Sequence, residues 1–179
     1  MPLLIMSIAV IATLVSLFAV AWPRRNPNGT PQVTPPSPPA AVKLTGHGLF
    51  DADGAAVPLH DLTPAVVLLV EGCTCADLIT GTVDAVAASK APSATVVVIA
   101  ARVPTLPAGL NEKVKVRALA DPNSSVRAAV PFLAPSRTTA ALLVAADGTV
   151  IRAVSSVTAA SAFDSELGNL AAAVPAPTA

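Results

Sequence analysis

Apolar residues fall into two kinds of block along this chain. One long block, residues 3–22, carries no charge and is interrupted only by Ser7, Thr13 and Ser16. The others are short, rich in Val, Leu and Ile, and bounded by Gly, Pro, Asp or Asn. Residues 65–70, 95–100 and 140–145 have the length and β-branched content of buried strands. Residues 44–50 and 57–62 flank Asp51-Ala52-Asp53-Gly54, a turn signal that predicts a leading β-hairpin. A further short strand is expected over 114–120, and 149–154 follows the turn Ala146-Asp147-Gly148 to make a second hairpin with 140–145. Helices are expected over 76–89, over 125–132 behind the start signal Asp121-Pro122-Asn123-Ser124, and over 158–174 before Pro175. Strands alternating with helices, followed by a hairpin and a last helix, predict an α/β domain with a mixed sheet over 42–174.

The long block has a different meaning. Twenty residues at about 1.5 Å each span roughly 30 Å, the thickness of the hydrocarbon core of a bilayer. Trp22 closes the run where an interfacial aromatic is expected, and Arg24-Arg25 follow at headgroup depth. Ala19-Val20-Ala21 has the small-x-small form of a signal-peptide cleavage site, but no Lys or Arg precedes the run and it is longer than a usual signal core. Residues 1–22 are therefore expected to be a retained transmembrane helix, which makes the protein single-pass in the cell membrane. The two arginines on its C-terminal side favour a cytoplasmic body by the positive-inside tendency. The linker composition favours the opposite side. The extracytoplasmic side is the expectation taken forward.

Residues 23–41 are rich in Pro, with Asn, Thr, Gln and Gly between, and cannot bury enough apolar surface to fold. They are expected to be an extended linker that holds the body away from the bilayer. Residues 175–179, Pro-Ala-Pro-Thr-Ala, are expected to be a disordered tail.

Composition removes some function classes. Eleven acidic and eleven basic residues balance, so no global field draws nucleic acid. Aromatic residues make up 3% of the chain, with no Tyr, which leaves no platform for stacking bases. No nucleic-acid partner is expected. There is no nucleophile elbow or related hydrolase motif. Asn123-Ser124-Ser125 matches a glycosylation acceptor, a pattern short enough to arise by chance.

The candidate chemistry lies in Cys73-Thr74-Cys75, the only two cysteines of the chain. They follow the apolar run 65–70 and precede the expected helix. A thiol at a helix N-terminus faces free N–H groups and the positive end of the macrodipole, both of which favour thiolate. That placement points to redox chemistry. Two rival readings exist. The cysteines can be inert thiols, packed as small hydrophobes. They can also chelate Cu(I), which soft sulfur ligands prefer, with His60 completing the site at the end of the leading hairpin. His47 is the only other histidine.

The order of elements resembles the thioredoxin-like fold, and within it the membrane-tethered thioredoxin and peroxiredoxin-like group. Four patterns over roughly residues 42–170 carry the resemblance. The first is Phe50-Asp51-Ala52-Asp53-Gly54 with Leu59-His60-Asp61-Leu62. The second is the apolar strand that runs into Cys73-Thr74-Cys75-Ala76-Asp77-Leu78-Ile79. The third is Leu119-Ala120-Asp121-Pro122. The fourth is Ala141-Leu142-Leu143-Val144-Ala145-Ala146-Asp147-Gly148-Thr149-Val150. The resemblance implies a thiol–disulfide oxidoreductase acting on protein thiols and disulfides through Cys73 and Cys75, without a cofactor. In it Cys73, nearest the helix start, attacks the substrate disulfide and Cys75 resolves the mixed disulfide. Alternatively Cys75 attacks alone. A degenerate fold that serves as an interaction module is the competing implication.

Three departures from the group's pattern bear on that chemistry. The spacing is Cys-x-Cys rather than Cys-x-x-Cys, and residues i and i+2 do not share a helix face. A Cys73–Cys75 disulfide therefore needs Cys73 in a non-helical lead-in turn, and so small a ring is expected to be strained and oxidising. Counting from the strand, Cys75 matches either cysteine of the group's motif, with Gly72 or Leu78 at the missing one. The group's cis-proline before the penultimate strand is replaced by Arg137-Thr138-Thr139-Ala140, with Thr139 or a neighbour at the equivalent place and a trans peptide expected. Glu71, where an aromatic residue is common, is a carboxylate expected to oppose thiolate formation.

Overall fold

The computed structural model describes residues 42–44, 48–71, 75–91, 93–133 and 137–172. These lie in one compact unit, Pro38–Ala179. The membrane helix expected over 1–22, the linker over 23–41, His47, Cys73 and the tail over 175–179 fall outside the described residues. Among the described residues no helix is long and apolar enough to cross a membrane.

Seven strands form a single mixed sheet. They are β1 (Leu49–Phe50), β2 (Ala56–Val57), β3 (Ala65–Leu69), β4 (Thr95–Ala100), β5 (Val116–Ala120), β6 (Ala140–Val144) and β7 (Val150–Ser155), in the order β2-β1-β5-β4-β3-β6-β7. The strands β3, β4 and β5 are parallel, and β6, β7 and β1 run against their neighbours. The helices are α1 (Ala76–Ala88), α2 (Ser125–Ala128) and α3 (Leu167–Ala172).

Alternation along β3 builds two cores. Val66 and Leu68 point to one face, where Leu78, Ile79, Val83 and Val86 of α1 pack with Phe163 and Leu170. Ala65, Val67 and Leu69 point to the other, against Leu49, Leu59, Val126, Val130 and Leu133. With both faces covered, β3, β4 and β6 read as continuous apolar blocks, as strands buried on both faces do. The two turns follow their sequence signals. Asp51 Oδ1 accepts the N–H groups of Asp53 and Ala55 at 3.0 and 2.9 Å, and Gly54 supplies a φ of +78° that closes the first hairpin.

Prolines account for two corrections. The strand expected over 57–62 ends at Val57, because Pro58 has no N–H to give a ladder, and Leu59–Leu62 forms a 3-10 turn instead. The helix expected over 125–132 stops at Ala128. Pro131 cannot donate to the carbonyl of Arg127, so Val130 donates to it at 3.1 Å and the chain tightens into successive turns. A third correction is the helix expected over 158–174. The chain instead makes 3-10 turns at Ala160–Ala162 and Asp164–Glu166 before α3. Between them Phe163 takes φ −146° and ψ 0°, a non-helical conformation in which its ring is fully buried. Its burial outweighs the local helix preference.

Candidate functional site

The carboxyl ends of the parallel strands gather the chemistry. Cys75 is the N-cap residue of α1: its carbonyl accepts the N–H of Ile79 at 2.9 Å, while its own φ and ψ of −78° and 30° lie outside the helix. Its half-buried side chain therefore sits where the unpaired N–H groups of the first turn converge. Cys75 is disulfide-bonded. Of the two registers open in the sequence, the one that puts Cys75 at the helix start holds, and Leu78, 4% exposed in the core, stands where the group's second cysteine falls. The expectation that Cys73 is nearest the helix start is corrected on this point, since the cap is Cys75.

Thr139, the residue directly before β6, faces Cys75. Its hydroxyl lies 3.8 Å from the sulfur and, because a disulfide sulfur has no hydrogen, Thr139 is the donor. Among the described residues the one cis peptide is Thr63–Pro64, so the peptide before Thr139 is trans, as its residue type requires. A hydroxyl thus occupies the place facing the cysteine where the group carries a proline.

Glu71 is not an uncompensated carboxylate. Its Oε1 is 3.4 Å from Nε of Arg127, whose side chain is 5% exposed against 24% for Glu71. Nη2 of Arg127 also donates to the carbonyl of Thr138 at 2.9 Å. One guanidinium therefore links Glu71, just beyond the end of β3, to the peptide that leads into Thr139. The expectation that Glu71 opposes thiolate at Cys75 is tempered by this pairing, because a buried guanidinium 3.4 Å away offsets much of its charge.

Arg127 is itself fixed by a cap. Asp121, 4% exposed, accepts the N–H of Ser125 at 2.9 Å and its hydroxyl at 3.0 Å through Oδ1, and the N–H of Val126 at 2.9 Å through Oδ2. The Asp-Pro motif read in the sequence as a helix start thus orients the short helix that carries Arg127. Sequence reading passed over Arg127 itself. The available signal was Glu71, a charged residue directly after a strand buried on both faces, which needs a cation nearby.

Two clefts flank the site. One, of about 420 Å³, has Cys75 in its wall with Val70, Ile79, Pro104, Leu106 and Pro107. The last three belong to the segment 101–115 that joins the parallel strands β4 and β5 without a helix. The prolines suit an irregular crossing, and Leu106 and Leu110 pin it onto the core under α1. The other cleft, of about 430 Å³, is bordered by Glu71, Ser124, Arg102 and Arg137.

His60 does not join the cysteines. It sits before β3, in the turn closed by Thr63, whereas Cys75 comes after that strand. Five strand residues, about 17 Å, separate the two ends. Its Nε2 is 3.0 Å from Asp61, and both side chains are exposed. Among the described residues no group of three His, Cys, Asp or Glu is placed to hold a metal ion.

A mixed sheet with a disulfide-bonded cysteine capping the helix after its central strand defines a thioredoxin-like domain. One solved structure shares that fold, and two further ones align at lower scores. BsSco, a member of the Sco family of cytochrome c oxidase assembly proteins for which a disulfide switch is described, aligns with a TM-score of 0.50 and 13% identity over 76% of this chain and 97% of its own. The bacterioferritin comigratory protein of Xanthomonas campestris, studied for alkyl peroxide reduction, gives 0.48 and 13% over 74% and 96%. A putative electron transfer protein of Aquifex aeolicus gives 0.43 and 11% over 72% and 96%. At such identities the likeness is one of fold. The sequence matches no protein-family model. It matches no curated protein either.

Proposed function

We propose that this domain carries out thiol–disulfide exchange with polypeptide substrates, with Cys75 as the attacking residue and Cys73 as the resolving one. The observation that carries this reading is a disulfide-bonded Cys75 at the N-cap of α1, with a hydroxyl donor 3.8 Å from its sulfur. Both the helix terminus and the donor stabilise negative charge on that sulfur once it is reduced. The roles are exchanged relative to the sequence expectation because the cap is Cys75.

In the reducing direction, Cys75 thiolate attacks one sulfur of a substrate disulfide. The new S–S bond joins protein to substrate, and the first substrate sulfur leaves as thiolate and takes up a proton. Cys73 thiolate then attacks Cys75 Sγ, the mixed disulfide breaks, and the second substrate sulfur leaves. Two electrons pass from the dithiol to the substrate, and the protein is left with a Cys73–Cys75 disulfide. The reverse sequence oxidises a substrate dithiol. The apolar cleft beside Cys75 supports a polypeptide substrate, since it offers Val70, Ile79, Leu106 and two prolines to a side chain next to the reacting cysteine. The chemistry requires no cofactor. We propose further that residues 1–22 tether the domain to the cell membrane on its extracytoplasmic side, which protease accessibility in intact cells tests directly.

The decisive experiment is thiol counting on the full chain before and after a reductant, paired with insulin reduction. Loss of two thiols on oxidation together with catalysed turnover is the expected result. Two free thiols under oxidising conditions would overturn the two-cysteine mechanism, and an unreactive, permanently oxidised pair would leave an interaction module in its place. Retention of Cu(I) by the reduced protein against a moderate competitor would favour the metal-binding alternative.

A further inference from the structure

The guanidinium of Arg127 bridges two segments that the chain order keeps apart. Nε meets Glu71, two residues after β3, and Nη2 meets the carbonyl of Thr138, directly before the residue that faces Cys75. Arginine suits this task because its planar fork holds the carbonyl through Nη2 while its charge faces the Glu71 carboxylate at 3.4 Å. The side chain is 5% exposed, so the bridge is made in a low-dielectric setting where a charged donor holds a carbonyl firmly. Thr139 is one bond further along the chain, and its hydroxyl contact with Cys75 Sγ is long at 3.8 Å. A contact at that range is sensitive to small displacements of the Thr138–Thr139 peptide.

We propose that Arg127 is a positioning residue for Cys75: by anchoring the Thr138 carbonyl it holds the Thr139 hydroxyl on the sulfur and so sets the reactivity of that thiol. This inference rests on the proposed exchange chemistry at Cys75. In this scheme Arg127 acts on Cys75 through the Thr138–Thr139 peptide. Its charge is already matched by Glu71, so its influence travels through the peptide rather than through the field.

The test reads Cys75 directly, whether or not the protein turns over a substrate. In the full chain carrying Cys73→Ser, the rate of alkylation of Cys75 by iodoacetamide is followed against pH. Thr139→Val is expected to slow alkylation at neutral pH by about threefold to tenfold, the scale of one ordinary hydrogen bond, and to move the profile to higher pH. Arg127→Met is expected to reproduce that shift, and the double variant to add nothing to Thr139→Val alone. Arg127→Lys, which keeps the charge but cannot serve Glu71 and Thr138 together, is expected to move the profile the same way by less, and it serves if Arg127→Met does not fold. A profile unchanged by either Arg127 substitution overturns the proposal. So does a shift that adds in full to that of Thr139→Val, which would mark a field effect independent of the hydroxyl. Failure of the exchange reading itself would show separately, as absent insulin reduction with these profiles intact.

Discussion

Thr139 places its hydroxyl 3.8 Å from the sulfur of Cys75, across 64 positions of sequence. The contact joins the cap of α1 to the first residue before β6, and these two elements flank β3 by sequence connection and by pairing. Cys75 also lines the apolar cleft formed with Val70, Ile79, Leu106 and Pro107.

The two cysteines are therefore expected to behave differently. Cys75→Ser should lower insulin reduction to the uncatalysed rate. Cys73→Ser should keep the first attack and lose the second, so that a mixed disulfide with a peptide substrate accumulates and is released by dithiothreitol. Mass spectrometry of the full chain after incubation with a disulfide-containing peptide checks both outcomes. An adduct on Cys73 in the Cys75→Ser protein, with none on Cys75 in the reverse case, would restore the opposite order of attack.

Asp121 offers a test of stability that reports on the same site. Its buried carboxylate receives three hydrogen bonds, from Ser125 N–H, Ser125 hydroxyl and Val126 N–H. Asp121→Ala removes the cap and strands two N–H groups, so a loss of about 2–3 kcal/mol is expected, above the usual ~1 kcal/mol of an exposed cap. Asp121→Asn keeps an acceptor and should cost about half as much. Urea unfolding followed by far-UV circular dichroism measures both. Because α2 carries Arg127, the Ala variant should also shift the alkylation profile of Cys75.

Much of this framework is visible in the chain, for physical reasons that differ from element to element. The strand Thr95–Ala100 was delimited in full, since a run buried on both faces is marked by its ends as well as its content. The hairpin turns at Gly54 and Gly148 follow from local hydrogen bonding by Asp51 and Asp147, which needs no tertiary partner. Where local signals compete, legibility falls: Pro131 cuts α2 short within a stretch otherwise suited to a helix, and Phe163 breaks another for the sake of the core. Cys75 and Thr139 were each picked out from the chain order. Arg127 was not, because a lone arginine in a short helix carries no periodic signal. Its burial and its two acceptors come from segments far away in sequence.

A pH dependence follows from the second hairpin. The carboxyl of Asp147 lies below its usual value of 3.8, first because the Thr149 hydroxyl donates to it, then because the Thr149 N–H does, with Lys43 adding a smaller attraction. A carboxyl depressed in the folded state gives stability that is present above the unfolded value and lost as pH falls through the folded one. The window is therefore below about pH 4. Asp147→Asn should flatten the fall of stability across that window and change little at neutral pH, where the exposed pair with Lys43 contributes little. Thr149→Val should remove the larger share of the effect, and Lys43→Met the smaller. Thermal melts between pH 3 and 6 decide the ranking.

Phe163 gives the sharpest test of the third correction. Among the described residues its ring is the largest fully buried side chain, and it packs in the core with residues of the sheet, α1 and the last helix. Phe163→Ala should cost about 3–5 kcal/mol, because the loss of apolar contact is compounded by a cavity that the rigid sheet cannot close. Against a typical total of about 5–15 kcal/mol, that leaves a folded but marginal protein. Phe163→Leu keeps most of the volume and should cost far less. The informative result is the comparison with helix content. If the segment leaves the helical path because the ring must be buried, the Ala variant should gain helical signal over 158–172 while losing stability. Measured by circular dichroism and by the chemical shifts of Ala160 and Ala162, an Ala variant with unchanged local conformation would show instead that Ser161, Asp164 and Ser165 break the helix by themselves, through side-chain bonds to the local backbone.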